Sequence, residues 1–575
     1  MTGYGIKHTG AGMRGLIHKY FTPSLLVWLL PVFLAVPNVA LCFTEFNSVW
    51  AKIANVLLPF GVYLFLASLS RRIGRTTLFC IPLMVYAAFQ IVLLFLYGGN
   101  IIAIDMFMNV LTTNATEVGE LLGNLKWAIL TVIVIYLPLI GIAIWFCVKK
   151  LLASNIVCDM ARRLSVLFMI AGVVFVILAY AFADAFNPRR ELFPYNVIEN
   201  MVTAIVRSVQ SSYYPETSAA YAYNARSERP DSVPEVYVLV IGETSRADNW
   251  QLFGYGRETT PQLAKRQNIV AFSKTLSEIN TTHKSVPMLM SPLMATTFGD
   301  SVNLVKPIFA AFDDSGYRTA FISNQRRNRG YIDMYGEQAG TGKFLSDGGG
   351  PQDDMNLVAE LRGQLDSADG GKVFVVLHTY GSHFEYNKRY PSAYSRFKPD
   401  SRAEASRSNR DELINAYDNT ILYTDAVLDS IITTLEQRQV PAAMLYVSDH
   451  GEDIFDDDRG RFLHASPVPT YWQLHVPLLV WTSPQYAQAH PERVDAMRRN
   501  AGRNVASSQA VFHTLLDLAG IQTHVFNATR SLASDSYAEP KRYYLNDYNE
   551  AVPLRDSGLR PQDMKPLLRT GISTE

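Results

Sequence analysis

Residues Val236 to Leu263 read VYVLVIGETSRADNWQLFGYGRETTPQL. The apolar run Val236–Ile241 stops abruptly at Gly242-Glu243-Thr244-Ser245-Arg246-Ala247-Asp248. A short run rich in β-branched residues, ended by glycine and polar residues, reads as a strand buried on both faces. The same pattern recurs at Thr319–Ile322, Val373–Leu377, Met444–Val447 and Pro477–Trp481, and helical stretches such as Leu413–Leu435 and Ser507–Leu518 fall between the runs. Strands separated by helices predict a soluble α/β domain with a mainly parallel sheet flanked by crossover helices. Such sheets bind ligands at the carboxyl ends of their strands.

The strand ends carry chemistry. Ser448-Asp449-His450-Gly451-Glu452 follows Met444–Val447, and His378-Thr379-Tyr380-Gly381-Ser382-His383 closes Val373–Leu377. Carboxylates and imidazoles on successive strand ends favour a divalent metal site, and oxygen and nitrogen donors without sulfur suit zinc or manganese. A lone Ser-Asp-His is more often a turn and helix cap, so the set matters more than any member. His378 lies inside an apolar run and reads as a core histidine; His475, His490, His513 and His524 read as structural or exposed. The four cysteines are Cys42, Cys80, Cys147 and Cys158, so no disulfide, thiolate metal site or cysteine nucleophile is available after residue 184.

The N-terminal third differs in composition. Five apolar segments approach the length of about 20 residues that spans a bilayer: Pro23–Cys42, Ile53–Leu69, Leu78–Tyr97, Ala128–Val148 and Leu164–Ala183. Lys7, Arg14 and Lys19 precede the first, Arg71, Arg72 and Arg75 follow the second, and Lys149, Lys150, Arg162 and Arg163 follow the fourth. Those sides belong to the cytoplasm, and an odd number of spans delivers the large C-terminal part outside. The organisation expected is a transmembrane domain over 1–183, a bridging helix and linker over 184–234, and an exported catalytic domain over 235–575. The bridge shows a stripe at Val197, Met201, Ile205 and Val209, and Pro215–Pro234 reads as linker. Ile101–Trp127 reads as an outer segment of helical character, with an amphipathic surface helix as its plainest reading. The formal net charge is zero, so no basic field favours nucleic acid as a partner.

Gly242–Leu263 closely resembles the signature of bacterial inner-membrane phosphoethanolamine transferases in the alkaline-phosphatase and sulfatase superfamily. Ser448–Glu452 is similar to that family's second metal motif, and the likeness extends to five spans before the catalytic domain. The resemblance implies Glu243, Asp449 and His450 as zinc ligands, with manganese less favoured. It places the nucleophile and fourth ligand three residues before Ser285-Val286-Pro287, at Thr282, with Thr281 as the neighbouring alternative. Substrate-side histidines fall on His383 and His464, and a loop histidine is the alternative for the latter. Thr113-Asn114-Ala115-Thr116-Glu117 is similar to the family's Asn-x-x-Glu element and implies Asn114 and Glu117 as lipid-substrate contacts. The implied donor is phosphatidylethanolamine. The implied acceptor is lipopolysaccharide, at a core heptose or lipid A, or a periplasmic glycan; the implied location is the inner membrane with the catalytic domain in the periplasm.

The cysteine-free C-terminal part departs from the lipid A branch, whose soluble domains carry disulfides. His383-x-x-Tyr386-x-x-Arg389-Tyr390-Pro391 is more similar to core heptose modifiers, although Ser285-Val286-Pro287 does not follow that branch. A phosphoglycerol transferase of the lipoteichoic-acid synthase type is the rival enzyme, disfavoured by Gly254–Pro261. A sulfatase needs a modifiable nucleophile, usually cysteine, and a non-catalytic envelope scaffold needs no complete set of ligand positions.

Overall fold

The structure is a computed structural model and describes residues 22–44, 48–97, 102–112, 125–183, 186–230, 232–349, 353–368, 370–401 and 404–575. Asn114, Glu117, Lys7, Arg14 and Lys19 lie outside the described residues. Two compact units emerge. One comprises the described residues up to Ala103 together with Leu125–Val202; the other starts at Ile104 and resumes over Thr203–Glu575.

The first unit is helical: α1 Pro23–Leu34, α2 Val36–Leu41, α3 Val49–Ser68, α4 Ile73–Phe79 and α5 Ile81–Tyr97 precede α6 Ile104–Thr112 of the second unit. Then come α7 Lys126–Val148, α8 Asn155–Phe182 and α9 Tyr195–Ser212, within which the boundary between the units falls. Four stretches among the described residues are long and apolar enough to cross a membrane, and the bent pair α4–α5 makes up to five. The third apolar segment is therefore broken, by a 52° bend at Cys80. Pro82 explains the break, because a proline there has no N–H to give and its ring clashes with the carbonyl four residues back. Within this unit α3 and α8 touch backbone to backbone. A Cβ on Gly172 would lie 2.6 Å from Leu58 Cα, a close approach that only glycine permits.

The second unit is built on a seven-stranded sheet of β1 Val236–Gly242, β2 Ile269–Ala271, β3 Arg318–Ser323, β4 Thr341–Phe344, β5 Val373–His378, β6 Ala442–Ser448 and β7 Leu478–Thr482. Their spatial order is β2-β7-β6-β1-β5-β3-β4. Strands β6, β1, β5, β3 and β4 are parallel, while β7 is antiparallel to both β6 and β2. The sheet is thus mixed at one side. The apolar pattern of β7 could not reveal this, because a strand buried on both faces reads the same in either direction.

Alternate residues of each strand serve opposite faces. Tyr237, Leu239, Ile241, Phe374, Val376, Leu445 and Val447 pack with the helix Ser507–Ala519. Val236, Val238, Val240, Val375, Leu377, Met444 and Tyr446 pack with the helices Met355–Ser367 and Arg410–Glu436. Each fully buried aliphatic side chain contributes about 1.5–3 kcal/mol, which is how a cysteine-free domain of this size holds together. The stretch expected as linker is packed instead. Tyr214, just before it, and Tyr223 within it are fully buried in the same core, and Arg226–Ser227 pairs with Ile521–Gln522.

Candidate active site

Register aligns the strand ends. Ile241 pairs with His378 of β5 and with Val447 of β6, so Glu243, Thr379 and Asp449 leave the sheet side by side. Glu243 and Thr244 follow β1 directly. Thr244 adopts φ +59°, a left-handed conformation that non-glycine residues take at a cost. The turn is held on three sides: the Thr244 N–H donates to Asp449 Oδ1 at 3.1 Å, its hydroxyl to Glu243 Oε1 at 2.7 Å, and its carbonyl accepts from Tyr417 at 2.7 Å.

Across from this turn, Thr282 opens the helix Thr282–Leu289. Its Oγ1 lies 3.3 and 3.4 Å from the two Glu243 carboxylate oxygens and 3.1 Å from His450 Nε2. Thr281 is the cap residue before the helix, and its hydroxyl is buried without a partner. Thr282, not Thr281, faces the carboxylate and imidazole. The helix N-terminus behind it favours negative charge at this point.

Glu243, Asp449 and His450 are all buried, with one donor atom from each inside a span of 4.8 Å. The Asp449 side chain is divided in use. Oδ1 accepts the N–H groups of Thr244 and His450, whereas Oδ2 is buried without a hydrogen bond, 3.2 Å from His450 Nε2. His450 Nδ1 lies 2.9 Å from the Gly451 carbonyl, which assigns its proton to Nδ1 and turns the Nε2 lone pair towards the carboxylates. Burial and the neighbouring Glu243 push the Asp449 carboxyl up. Burial opposes ionisation of Glu243 too, but His450 and His383 hold it below its usual value. Two carboxylates, one with an unpaired buried oxygen, and an imidazole lone pair converging on one point are the donor set of a divalent cation such as zinc, so the residues present fit that group.

His383 and His464 stand at the same site. His383 Nδ1 is 2.7 Å from the Phe384 carbonyl, leaving Nε2 free of that bond. His464 stacks on His450 with ring centroids 4.2 Å apart, and its Nδ1 is 3.1 Å from Glu452 Oε2. Burial, with His450, His383 and His283 nearby, drives the His464 pKa well below its usual value, so the ring is neutral. His378 is fully buried, bonded to Ser323 Oγ at 3.1 Å, and lowered to about 4 by burial.

Three contributors were not singled out from sequence. Gln325 donates to Glu243 Oε2 and to the Thr379 carbonyl, both at 3.0 Å. Glu452 joins Tyr386 and His464. Asp354 accepts the N–H groups of Tyr380 and Gly381 at 2.8 and 2.9 Å, setting the turn that carries His383. The strand-end rule would have found Gln325, which lies just past β3, and Glu452 sits within the Ser448–Glu452 motif.

The sequence and the fold have counterparts. A family model described as Sulfatase matches residues 235–521. Phosphoethanolamine transferase EptA of Escherichia coli strain K12 is 32% identical over 300 residues, 51% of this chain and 54% of that protein; the matched segment spans about half the length of such curated relatives. The crystal structure of the C-terminal periplasmic domain of Escherichia coli EptC, in complex with Zn, has 25% identity and a TM-score of 0.53, covering 60% of this chain and 98% of that one. The integral membrane protein lipooligosaccharide phosphoethanolamine transferase A of Neisseria meningitidis shares the fold at TM-score 0.70 and 22% identity, over 89% of this chain and 97% of that one. Residues 235–521, whose strand ends bring together a glutamate, an aspartate–histidine pair and a threonine, form a domain of the sulfatase family.

Proposed function

We propose that this protein transfers phosphoethanolamine from phosphatidylethanolamine to an envelope glycolipid, with Thr282 as the nucleophile. The observation that carries the reading is the Thr282 hydroxyl, at a helix N-terminus and 3.1–3.4 Å from His450 Nε2 and the Glu243 carboxylate. A threonine hydroxyl is a weak nucleophile until a base or a metal activates it. Glu243, Thr282, Asp449 and His450 would hold zinc, which supplies Lewis acidity to the hydroxyl and to the phosphoryl oxygens. Thr282 Oγ attacks the donor phosphorus in line; the bond to the glycerol oxygen breaks, and diacylglycerol leaves with a proton. The acceptor oxygen then attacks phosphorus and releases Thr282. His383 and His464 each keep Nδ1 tied to an acceptor, so each Nε2 is able to take up a proton and, once protonated, to hold a phosphoryl oxygen. Asn114 and Glu117 are proposed donor contacts on sequence resemblance alone.

The names of the relatives support lipopolysaccharide as acceptor, and the motifs around His383 favour a core heptose over lipid A. A sulfatase mechanism lacks a cysteine in this unit, since all four cysteines precede residue 184. The apolar helices and the lysine and arginine placement support an inner-membrane protein with a periplasmic catalytic unit.

The test is a single turnover with fluorescent phosphatidylethanolamine and no acceptor. One diacylglycerol per enzyme should be released in a burst, with phosphoethanolamine on the peptide containing Thr282. Thr282→Ala should abolish the burst, Thr282→Ser should keep part of it, and Thr281→Ala should be mild. A burst retained in Thr282→Ala would overturn the assignment.

A further inference from the structure

Asp105 stands 179 residues before Lys284 in sequence, in the first turn of α6, yet it belongs to the same compact unit as the candidate active site. Its carboxylate is fully buried. Oδ2 accepts from Lys284 Nζ at 2.6 Å and Oδ1 lies 3.3 Å from His283 Nε2. Lys284 is buried as well and donates its second bond to the Asn546 carbonyl at 3.2 Å. His283 and Lys284 are the two residues directly after Thr282, in the first turn of its helix. Burial opposes the charge on Asp105, but Lys284, His283 and a hydrogen bond with the Asp547 carboxyl hold its own carboxyl far below the usual range.

The amphipathic surface helix expected here from sequence is thus not the outcome for the first turn of α6. Ile104, Asp105 and Met106 are buried, and the one charge among them is spent on the turn that presents Thr282. A buried ion pair holds both partners in place, because losing either one leaves the other charge buried and uncompensated. We propose that Asp105 is a positioning residue for Thr282. It anchors Lys284, and with it the first turn of the helix, so that the threonine hydroxyl stays in line with Glu243 and His450. The proposal rests on the nucleophile reading above. Asp105 also lines a cavity of about 220 Å³ with Arg207, His283, Lys284, Asn303 and Tyr331, so a direct contact with substrate is the competing role.

The experiment uses the full-length protein and compares Asp105→Asn, Lys284→Met and the double variant. For each, the single-turnover rate with fluorescent phosphatidylethanolamine is measured against donor concentration, well below the melting temperature and per mole of bound zinc. Asp105→Asn should slow the maximal rate about 10- to 100-fold, the scale of a small misplacement of reacting groups, with zinc content retained and half-saturation within about two-fold. Lys284→Met should do the same. The double variant should be no slower than either single one, since both act through one pair. Should either single variant fail to fold, the double variant removes both charges and still reports, and it should be slow. A wild-type maximal rate in folded Asp105→Asn, or in the double variant, overturns the proposal and leaves a purely structural pair. Raised half-saturation with an unchanged maximal rate also overturns it, in favour of a binding role. Failure of the nucleophile reading is separate: it would show as a burst retained in Thr282→Ala, whatever the Asp105 variants do.

Discussion

Gly381→Ala should slow the reaction by displacing Glu243 without replacing any group of the site. Gly381 has φ +54°, and its N–H is fixed by Asp354 Oδ2 at 2.9 Å. A Cβ added there would lie 2.8 Å from the Glu243 carbonyl oxygen and 3.0 Å from the Glu243 nitrogen. Ordinary contacts begin near 3.4 Å, so Glu243 and the turn carrying His383 must separate by roughly 0.6 Å. A site of this kind tolerates about 0.5 Å, and 1 Å can cost about 100-fold in rate; a loss of roughly 10-fold or more follows. The left-handed backbone adds about 1–2 kcal/mol of instability for an L side chain. The separation also strains the bond from the Ser382 N–H to the Glu243 carbonyl, now 3.0 Å. The assay is the diacylglycerol burst per mole of zinc, paired with chelator competition for the metal and urea unfolding. Burst rate, metal retention and urea midpoint all at wild-type values would refute the claim that this close approach sets the distance between Glu243 and His383.

Other consequences are simpler to read. Asp449→Asn, which trades the unpaired Oδ2 or the backbone-held Oδ1 for an amide, should lower zinc content at least 10-fold by elemental analysis while the fold persists by circular dichroism. Gly172→Ala should lower the melting temperature of the detergent-extracted protein, since the added carbon meets Leu58 Cα at 2.6 Å. His513 is buried, accepts the Asn527 N–H at 3.3 Å, and burial lowers its pKa to about 4. The unfolded chain takes up a proton near pH 6.5 that the folded chain refuses until about pH 4. Stability is therefore full above pH 6.5 and falls as pH drops towards 4, by about 1.4 kcal/mol per unit and about 3 kcal/mol in all. His513→Gln should flatten the urea midpoint over that window. A periplasm-active reporter fused after Ser232, and a cytoplasm-active one between Arg71 and Arg75, should both give signal; the reverse pattern would invert the topology.

Much of the fold was legible because it depends on short-range patterns. The apolar runs of β1, β3, β5 and β6 are continuous since both sheet faces are covered, and their length and β-branching separate them from helices. Strand direction is not written in such a run, so the reversal of β7 is visible only in its pairing with Tyr446 and Leu445. The bend at Cys80 was in principle readable from Pro82. The packed course of residues 215–227 was not, because a tyrosine such as Tyr223 is polar enough to suit a linker and apolar enough to fill a core.

The candidate site divides along the same line. Glu243, Asp449 and His383 follow strands, and the sheet itself brings strand ends together, so a residue's place in a local motif is also its place in space. Thr282 has no such guarantee; its position depends on what holds the first turn of its helix. That support comes from Asp105, Asn546 and the Asp449 carbonyl that accepts the Ser285 hydroxyl at 2.7 Å. None of these is near Thr282 in sequence, and Asp105 and Asn546 are ordinary residue types in an ordinary context. The proposed ligands sit where the fold's repeating geometry puts them, but the proposed nucleophile is aimed by single long-range contacts. Substitutions at Asp105 or Lys284 should therefore separate metal binding from transfer more cleanly than any change at the ligands can.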